Sequence, residues 1–191
     1  MATKQNRRTQ MTRLLLRTAL VELMQEKPIE KISIKDICDQ ADLNRTTFYL
    51  HYPDQHALLL DVQQDIKAKL KPFQEENLAK SAIPTTLISF LAYIRDNAKT
   101  FQVLMHHAGT SDFRRDLTQF AVSLFWPDQK QKSRKEQYAQ CYLLNGCFGI
   151  IFEWIDRSLD LTVEGLASLI LEFAESTVLL VEKNNQLILP T

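Results

Sequence analysis

The 191-residue sequence predicts an all-α protein, and three of its features support that class. Apolar residues make up 45% of the chain, which is enough to bury a core. Glycine is scarce, at four residues, and few segments alternate apolar and polar residues as half-buried strands do. Along most of the chain, apolar residues instead recur at steps of three and four, the period of an amphipathic helix.

Local signals place nine helices along the chain. Leu16, Leu20 and Leu23 form the apolar stripe of the first helix. Ser33 and Asp36 have the spacing of a capping box, which predicts the start of the second helix. The predicted helices cover residues 7–26, 33–40, 44–51, 54–73, 84–97, 100–107, 111–126, 134–158 and 163–184.

Residues 33–52 predict two short helices joined by a tight turn. Asp42, Leu43 and Asn44 interrupt the helical period, and Asn44 is a good N-cap for the helix that follows. Phe48 is expected to face the core. The side chains expected to point outward are Arg45, Thr46, Thr47, Leu50 and His51. This is the pattern of a helix-turn-helix, whose second helix fits the major groove of DNA, and an ordinary helical hairpin is the alternative.

The chain is neutral overall, but its charge is unevenly distributed. Residues 1–52 carry nine Lys and Arg against six Asp and Glu, a net charge of +3, and no acidic residue precedes Glu22. The remaining residues carry fourteen against seventeen, a net charge of −3. A basic N-terminal segment favours DNA as a partner, because attraction to phosphates supplies most non-specific affinity. A solvated tail would have the same composition.

Over about residues 10–70 the chain resembles the N-terminal domain of the TetR/AcrR family of transcriptional regulators. The resemblance rests on residues 32–52, Ile-Ser-Ile-Lys-Asp-Ile-Cys-Asp-Gln-Ala-Asp-Leu-Asn-Arg-Thr-Thr-Phe-Tyr-Leu-His-Tyr, followed by Leu58-Leu59. The family usually ends this motif with Phe, where this chain has Tyr52. Lys27-Pro-Ile-Glu-Lys-Ile-Ser-Ile and Asn-Arg-Thr-Thr-Phe-Tyr most resemble the branch that contains the dihydroxyacetone-kinase operon regulators.

The resemblance implies that residues 33–52 bind a palindromic operator in double-stranded DNA. By position in the motif, the residues expected to read bases are Arg45, Thr46 and Leu50, and those expected to touch phosphates are Ser33, Thr47, Tyr49 and His51. An arginine suits guanine, because two of its donors match the O6 and N7 acceptors. Two positions depart from the family pattern: Gln55 replaces a common Lys, which removes one phosphate contact, and Pro28 replaces a common Gly.

The chain is expected to divide into a DNA-binding head, residues 1–52, and a helical effector-binding and dimerisation domain, residues 53–191. The last helix has an apolar stripe, and the helix before it is apolar on nearly every side. The residues assigned to a two-fold, four-helix dimer interface are Gly146, Gly149, Leu166, Ile170, Phe173, Thr177 and Leu180. A homodimer would supply the second recognition helix that a palindrome requires. Packing of both helices within one monomer is the alternative.

The resemblance also implies a pocket that binds an unknown small-molecule effector. Some members of the resembled branch use a protein effector instead, and such a protein would need no pocket. The expected lining is Tyr93, Phe101, Met105, His106, Phe120, Trp126 and Tyr142, within a wider set that adds Phe90, Ile94, Leu104, His107, Phe113 and Phe125. The alternative is that these side chains only form the core. No metal or other cofactor is expected, since His106 and His107 are adjacent and lack a third ligand at metal spacing.

The helix-turn-helix pattern predicts sequence-specific DNA binding, and the resemblance implies a transcriptional regulator, expected to be a repressor that a small-molecule or protein effector releases. No catalytic motif is present: there is no Gly-rich phosphate loop, Gly-x-Ser-x-Gly or His-Glu-x-x-His. The second class considered is a helical protein-interaction adaptor that does not bind DNA. A cytoplasmic protein without membrane association is expected, because no membrane span or signal peptide is evident. The three cysteines are expected to be buried free thiols.

Overall fold

The computed structural model describes residues 4–78, 83–106, 111–125 and 133–183, with side chains described in 6–73, 83–106, 113–125 and 133–177. Within these ranges the chain is helical and has no strand, so the predicted all-α class is confirmed. The helices are α1 (Lys4–Glu26), α2 (Ile34–Ala41), α3 (Arg45–Tyr49), α4 (Gln55–Leu78), α5 (Ile83–Asp96), α6 (Ala98–His106), α7 (Ser111–Phe125), α8 (Arg134–Asp156) and α9 (Val163–Lys183). A 3₁₀ turn at Ile29–Lys31 joins α1 to α2.

Helix α4 extends beyond its predicted end near Phe73 and contains Pro72 in its interior. A proline inside a helix removes one backbone donor and usually kinks or ends it. The residues that follow include glutamine and glutamate, which have high helix propensity, and the helix continues to Leu78.

The described residues form two compact units. The head unit comprises Met1–Lys71 and Lys99–Arg114, and the C-terminal unit comprises Pro72–Ala98 and Arg115–Thr191. This grouping differs from the predicted boundary at residue 52. The apolar side of α4 is buried as far as Leu70, so most of this helix belongs to the head unit rather than to a separate domain.

The core of the head unit forms where α1 packs against α2 and α2 packs against α3. Leu16, Leu20 and Met24 lie at steps of four on α1, so they share one face, and all three are completely buried. Ile37 of α2 and Phe48 of α3 are completely buried as well. The second and third helices are thus held by their apolar side chains, which leaves their polar side chains at the surface.

The start of α2 is fixed by the predicted capping box. The Asp36 N–H donates to Ser33 Oγ, and the Ser33 N–H donates to Asp36 Oδ2, both at 3.1 Å. Lys27 Nζ adds an ion pair to Asp36 Oδ2 at 2.9 Å, which the sequence pattern does not reveal. The Lys27 hydrogen bond, followed by that of the Ser33 backbone, lowers the pKa of Asp36 from 3.8 to about 2.

The lowered pKa of Asp36 predicts that the protein loses stability in acid. Because the folded pKa lies below the unfolded value of 3.8, the contribution of Asp36 is fully present above pH ~4 and disappears as the pH falls through about 2. Titration of the Asp36 carboxyl by NMR should give a pKa near 2, and Lys27→Met should raise it. Lys31→Met is the matched control, since exposed Lys31 makes no ion pair with Asp36. An unchanged pKa in Lys27→Met would contradict the assignment.

In the C-terminal unit, α9 packs against both α5 and α8. The Trp154 indole N–H donates to the Leu161 carbonyl at 2.9 Å and holds the connection between α8 and α9. In that connection Ser158 and Leu159 have φ values of 59° and 60°, a left-handed conformation that is costly for side-chain-bearing residues. The Leu159 N–H bonds to the Trp154 carbonyl at 2.8 Å, which satisfies a terminal acceptor of α8.

The expectation of three buried thiols is wrong for two of the cysteines. Cys38 is buried, Cys147 is half-buried and Cys141 is exposed, and all three are free. Helix α8 is apolar on nearly every side, so the sequence cannot identify the face that tertiary packing covers. None of the described helices is both long and apolar enough to span a membrane.

Candidate DNA-binding site

The turn between α2 and α3 begins at Asp42, which adopts a left-handed conformation with φ 51° and ψ 47°. Asp and Asn tolerate this conformation better than most residues. The Leu43 N–H donates to the Cys38 carbonyl at 2.9 Å, so α2 ends in a closed turn. Asn44 follows directly, and α3 begins at Arg45.

Helix α3 is capped by Asn44, as predicted. Asn44 Oδ1 accepts from the Thr47 N–H at 2.7 Å and from the Thr47 hydroxyl at 2.8 Å. Phe48 anchors the other side of the helix, with 0% of its surface exposed. The cap and the anchor fix both the position and the rotation of a helix that is too short to be stable alone.

The predicted base-reading residues lie at the surface of α3 and its C-terminal end. Arg45 and Thr46 are exposed, and Leu50 has 78% of its surface in contact with solvent. One exposed leucine is ordinary on a protein surface. Here it lies one helical turn from Thr46, so an apolar and a polar group occupy the same face.

The predicted phosphate-contacting residues have different surroundings. Tyr49 is exposed and its ring packs edge-on against Phe48, with the centroids 5.7 Å apart. Ser33 Oγ accepts from the Asp36 N–H in the cap, and the Ser33 side chain also hydrogen-bonds the Asp36 carboxylate, so its hydroxyl would have to exchange that bond for a phosphate contact. The Thr47 hydroxyl donates to Asn44, and would likewise have to exchange that bond for a phosphate contact. His51 is half-buried.

The basic side chains of residues 17–45 fall into two groups. Lys27 is held by Asp36 and Arg17 by acidic residues of α4. Lys31, Lys35 and Arg45 are exposed and make no ion pair with any described residue. Burial raises the pKa of the Cys38 thiol, and the positive charge of Arg45 partly opposes that rise.

A polar network below α3 was missed by the sequence analysis. The Tyr52 hydroxyl donates to Asp61 Oδ2 of α4 at 2.6 Å. Arg17 Nη1 of α1 lies 2.7 Å from Asp65 Oδ1 and 3.8 Å from Asp61 Oδ2. The available signals were the tyrosine in place of the family's usual phenylalanine and the four-residue spacing of the two aspartates on α4.

A cavity of about 660 Å³ lies in the C-terminal unit between α5, α7, α8 and α9. It is lined by Ile83, Pro84, Leu87, Phe90, Ala121, Phe125, Leu143, Leu144, Cys147, Phe148, Ile151, Ile170, Leu171, Ala174 and Glu175. Its volume falls within the range of small-molecule sites. Among the residues that line it, Glu175 alone carries a charge.

Of the residues predicted to form the effector pocket, those that the structure describes do not line this cavity. Phe101 and Met105 are buried in the head unit, where His106 is exposed. Tyr93 packs on Phe73 in the C-terminal unit. Phe120 packs on Phe90, and Tyr142 is 69% exposed on α8. Of the wider predicted set, Phe90 and Phe125 line the cavity, while Trp126 and His107 lie outside the described residues. No cluster of His, Cys, Asp or Glu within the described ranges is arranged to hold a metal ion.

The residues predicted to form the dimer interface separate into a buried and an exposed group. Leu166 and Ile170 are buried within the C-terminal unit. Gly146, Gly149 and Phe173 are exposed, and Thr177 is half-buried with its hydroxyl donating to the Phe173 carbonyl at 2.9 Å. The Leu180 side chain is outside the described part. Tyr138 and Tyr142 extend the exposed face of α8 at steps of four, in line with Gly146.

The sequence matches the profiles of two known protein families. One, described as "Bacterial regulatory proteins, tetR family", matches residues 16–62, which include α2, α3 and the turn between them. The other, described as "Transcriptional regulator C-terminal region", matches residues 83–176, from the start of α5 into α9.

Two uncharacterised HTH-type transcriptional regulators are similar in sequence. YxbF of Bacillus subtilis is 26% identical over 57% of this chain and 30% of its own length, so the match spans about a third of that relative. A regulator of Haemophilus influenzae is 24% identical over 78% of both chains.

Two solved structures share the fold. The dihydroxyacetone kinase operon activator DhaS is 20% identical with a TM-score of 0.55, over 88% of this chain and 97% of that one. A TetR transcriptional regulator from Streptococcus agalactiae is 18% identical with a TM-score of 0.61, over 89% and 97%.

Proposed function

Because this chain belongs to the TetR family of DNA-binding transcriptional regulators, we propose that it is a homodimeric cytoplasmic repressor of its target genes. In this proposal the two copies of α3 enter successive major grooves of a palindromic operator. The observation that carries the proposal is the exposed surface of α3, held outward by the Asn44 cap and the buried Phe48 ring. Arg45, Thr46 and Leu50 read bases, and Ser33, Thr47, Tyr49 and His51 contact phosphates.

Dimerisation would use the exposed face of α8 together with α9. Gly146 and Gly149 carry no side chain, and a Cβ built on either would meet nothing within 4 Å. A second subunit can therefore approach the α8 backbone closely at these positions. Phe173, with 49% of its surface exposed, supplies apolar area to such an interface. Leu166 and Ile170 would support it from beneath, as part of the core of each subunit.

The operator and the dimer can be tested in one experiment. Selection of duplexes from a random-sequence library with the purified protein should enrich two inverted half-sites, and sedimentation of the complex should give two chains per duplex. Enrichment is expected because specific sites typically bind at least ~10³-fold more tightly than unrelated DNA. Absence of any enriched sequence would contradict the repressor and favour the adaptor. A single half-site bound by a single chain would contradict the dimer.

The cavity of the C-terminal unit is the proposed effector site. Its walls are apolar apart from the Glu175 carboxylate at α9, and none of the described residues that line it is Lys, Arg or His. An anionic ligand would lose its hydration without gaining a cationic partner there. The effector is therefore an apolar molecule, neutral or with one cationic end, rather than a phosphorylated or polyhydroxylated metabolite. Its binding would release DNA only if it favours one spacing of the two heads over the other.

The uncharged dye N-phenyl-1-naphthylamine provides a probe of this cavity. It should bind the wild-type protein with increased fluorescence, and Ala174→Trp should abolish this binding by filling the space. Ser176→Trp places the same side chain at an exposed position of α9 outside the cavity lining and should leave binding unchanged. Equal dye binding by both variants would contradict the effector site without affecting the DNA-binding proposal.

A further inference from the structure

Tyr52 lies at the point where the recognition helix passes into α4. Its backbone N–H bonds to the Phe48 carbonyl at 3.0 Å, which ties the residue to the C-terminal end of α3. Its ring is buried beside Phe48, with the centroids 5.9 Å apart. Any displacement of the Tyr52 ring is therefore transmitted to the anchor of α3 through direct packing.

The Tyr52 hydroxyl makes a second and more directional connection. It donates to Asp61 Oδ2 at 2.6 Å, a short bond of the kind formed between a hydroxyl and a carboxylate. Burial, followed by the hydrogen bond to Asp61, raises the pKa of Tyr52 well above its usual value. The hydroxyl consequently keeps its proton throughout the physiological range and remains the donor.

The carboxylate that accepts this bond is itself held by α1. Arg17 Nη1 contacts Asp65 at 2.7 Å and approaches Asp61 at 3.8 Å, and Lys69 Nζ contacts the other oxygen of Asp65 at 2.7 Å. The guanidinium carbon of Arg13, which is also on α1, lies 5.9 Å from the centre of the Tyr52 ring. Helices α1 and α4 and the end of α3 thus meet in one set of polar contacts.

Packing alone does not require the hydroxyl. A phenylalanine, which the family motif usually has at this position, would fill the same buried space and leave Asp61 without its donor. Hydrogen bonds weaken steeply with distance and angle, so the Tyr52–Asp61 bond restricts sliding and rotation of α3 against α4 in a way that an apolar contact does not.

We propose that Tyr52, Asp61 and Arg17 form a latch that positions the recognition helix on α4 and so contributes to discrimination between DNA sequences. Tyr52 is a positioning residue, since it acts through α3 and is not required to touch DNA. The effect on DNA rests on the proposed function, whereas the effect on α3 does not. Loss of the latch lets α3 adopt several orientations, which weakens base contacts while phosphate attraction persists.

The test compares Tyr52→Phe, Asp61→Ala and the double variant with the wild-type protein, well below the melting temperature. Two quantities are measured: amide hydrogen exchange at Leu50, His51 and Tyr52, and the ratio of affinities for a selected duplex and an unrelated duplex. In Tyr52→Phe, exchange at these amides should rise selectively relative to α2, and the affinity ratio should fall about tenfold. The double variant should resemble Asp61→Ala, because both changes break the same bond.

Lys69→Met is the matched control. It removes an ion pair to Asp65 but leaves the Tyr52, Asp61 and Arg17 contacts intact, so exchange and affinity ratio should stay at wild-type values. Unchanged exchange at the Leu50, His51 and Tyr52 amides in Tyr52→Phe would overturn the latch. Faster exchange with an unchanged ratio would reduce Tyr52 to a structural residue and overturn its role in discrimination. If the wild-type protein bound all duplexes with equal affinity, both the discrimination role and the proposed function would be refuted. Exchange at the Leu50, His51 and Tyr52 amides would still show whether the latch holds the end of α3 on α4.

Discussion

Arg45→Ala is expected to lower the affinity for a selected operator by about 1–3 kcal/mol per recognition helix, with much less effect on unrelated DNA. Arg45 is the first residue of α3, and its side chain is exposed. It makes no ion pair with the described residues, so its guanidinium is available to a base. Fluorescence anisotropy with the operator and with a scrambled duplex, at one fixed salt concentration, gives the two affinities.

Two further variants separate base reading from charge. Arg45→Lys keeps the positive charge but loses the planar pair of donors that matches guanine, so it should recover general affinity without recovering the preference. Lys31→Ala removes one exposed charge outside α3 and should weaken all duplexes to a similar and small extent. An operator preference that survives Arg45→Ala unchanged would show that this side chain does not read a base.

Phe48→Ala is expected to destabilise the head unit by about 3–5 kcal/mol, the usual cost of replacing a buried phenylalanine. The ring is completely buried and contacts both Tyr49 and Tyr52, with centroids 5.7 and 5.9 Å away. Its removal leaves a cavity under the recognition helix, and α3 is too short to remain folded without that anchor. DNA binding should therefore be lost together with stability.

Leu50→Ala provides the comparison for stability, since Leu50 lies two residues further along and is 78% exposed. The free energy of unfolding of the Leu50→Ala head unit should stay within about 0.5 kcal/mol of the wild-type value. Hydrogen exchange of α1 and α2 amides measures the stability of the head unit separately from that of the C-terminal unit. If the α1 and α2 amides were equally protected from hydrogen exchange in Phe48→Ala and Leu50→Ala, the assignment of Phe48 as the anchor would be contradicted.

The parts of the candidate site that the sequence predicted depend on local contacts. Asn44 bonds to Thr47 three residues later, and the Ser33–Asp36 capping box has the same short spacing. Such bonds form whenever the helix forms, so a pattern of residue types is enough to identify them. The inward position of Phe48 follows equally directly from the helical period, and it is confirmed by complete burial.

The parts that could not be predicted depend on residues distant along the chain. An apolar stripe shows that a helix face is covered, but not whether its own subunit or another one covers it. Leu166 and Ile170 belong to the subunit core, whereas Phe173 on the same predicted stripe is exposed. The cavity has a similar origin, because its walls come from four helices and only their packing decides which aromatic side chains face it.

The sequence by itself determined the all-α class, the order of the helices and the caps that start α2 and α3, because each follows from interactions within a few residues. Only the tertiary structure placed Tyr52 against Asp61, Arg17 against Asp65 and Lys27 against Asp36. Each of these pairs joins side chains at least nine residues apart on different segments. Such pairing depends on how the segments pack against one another. The helical period of the sequence predicts which face of a helix is buried, but not which side chain of another segment lies opposite.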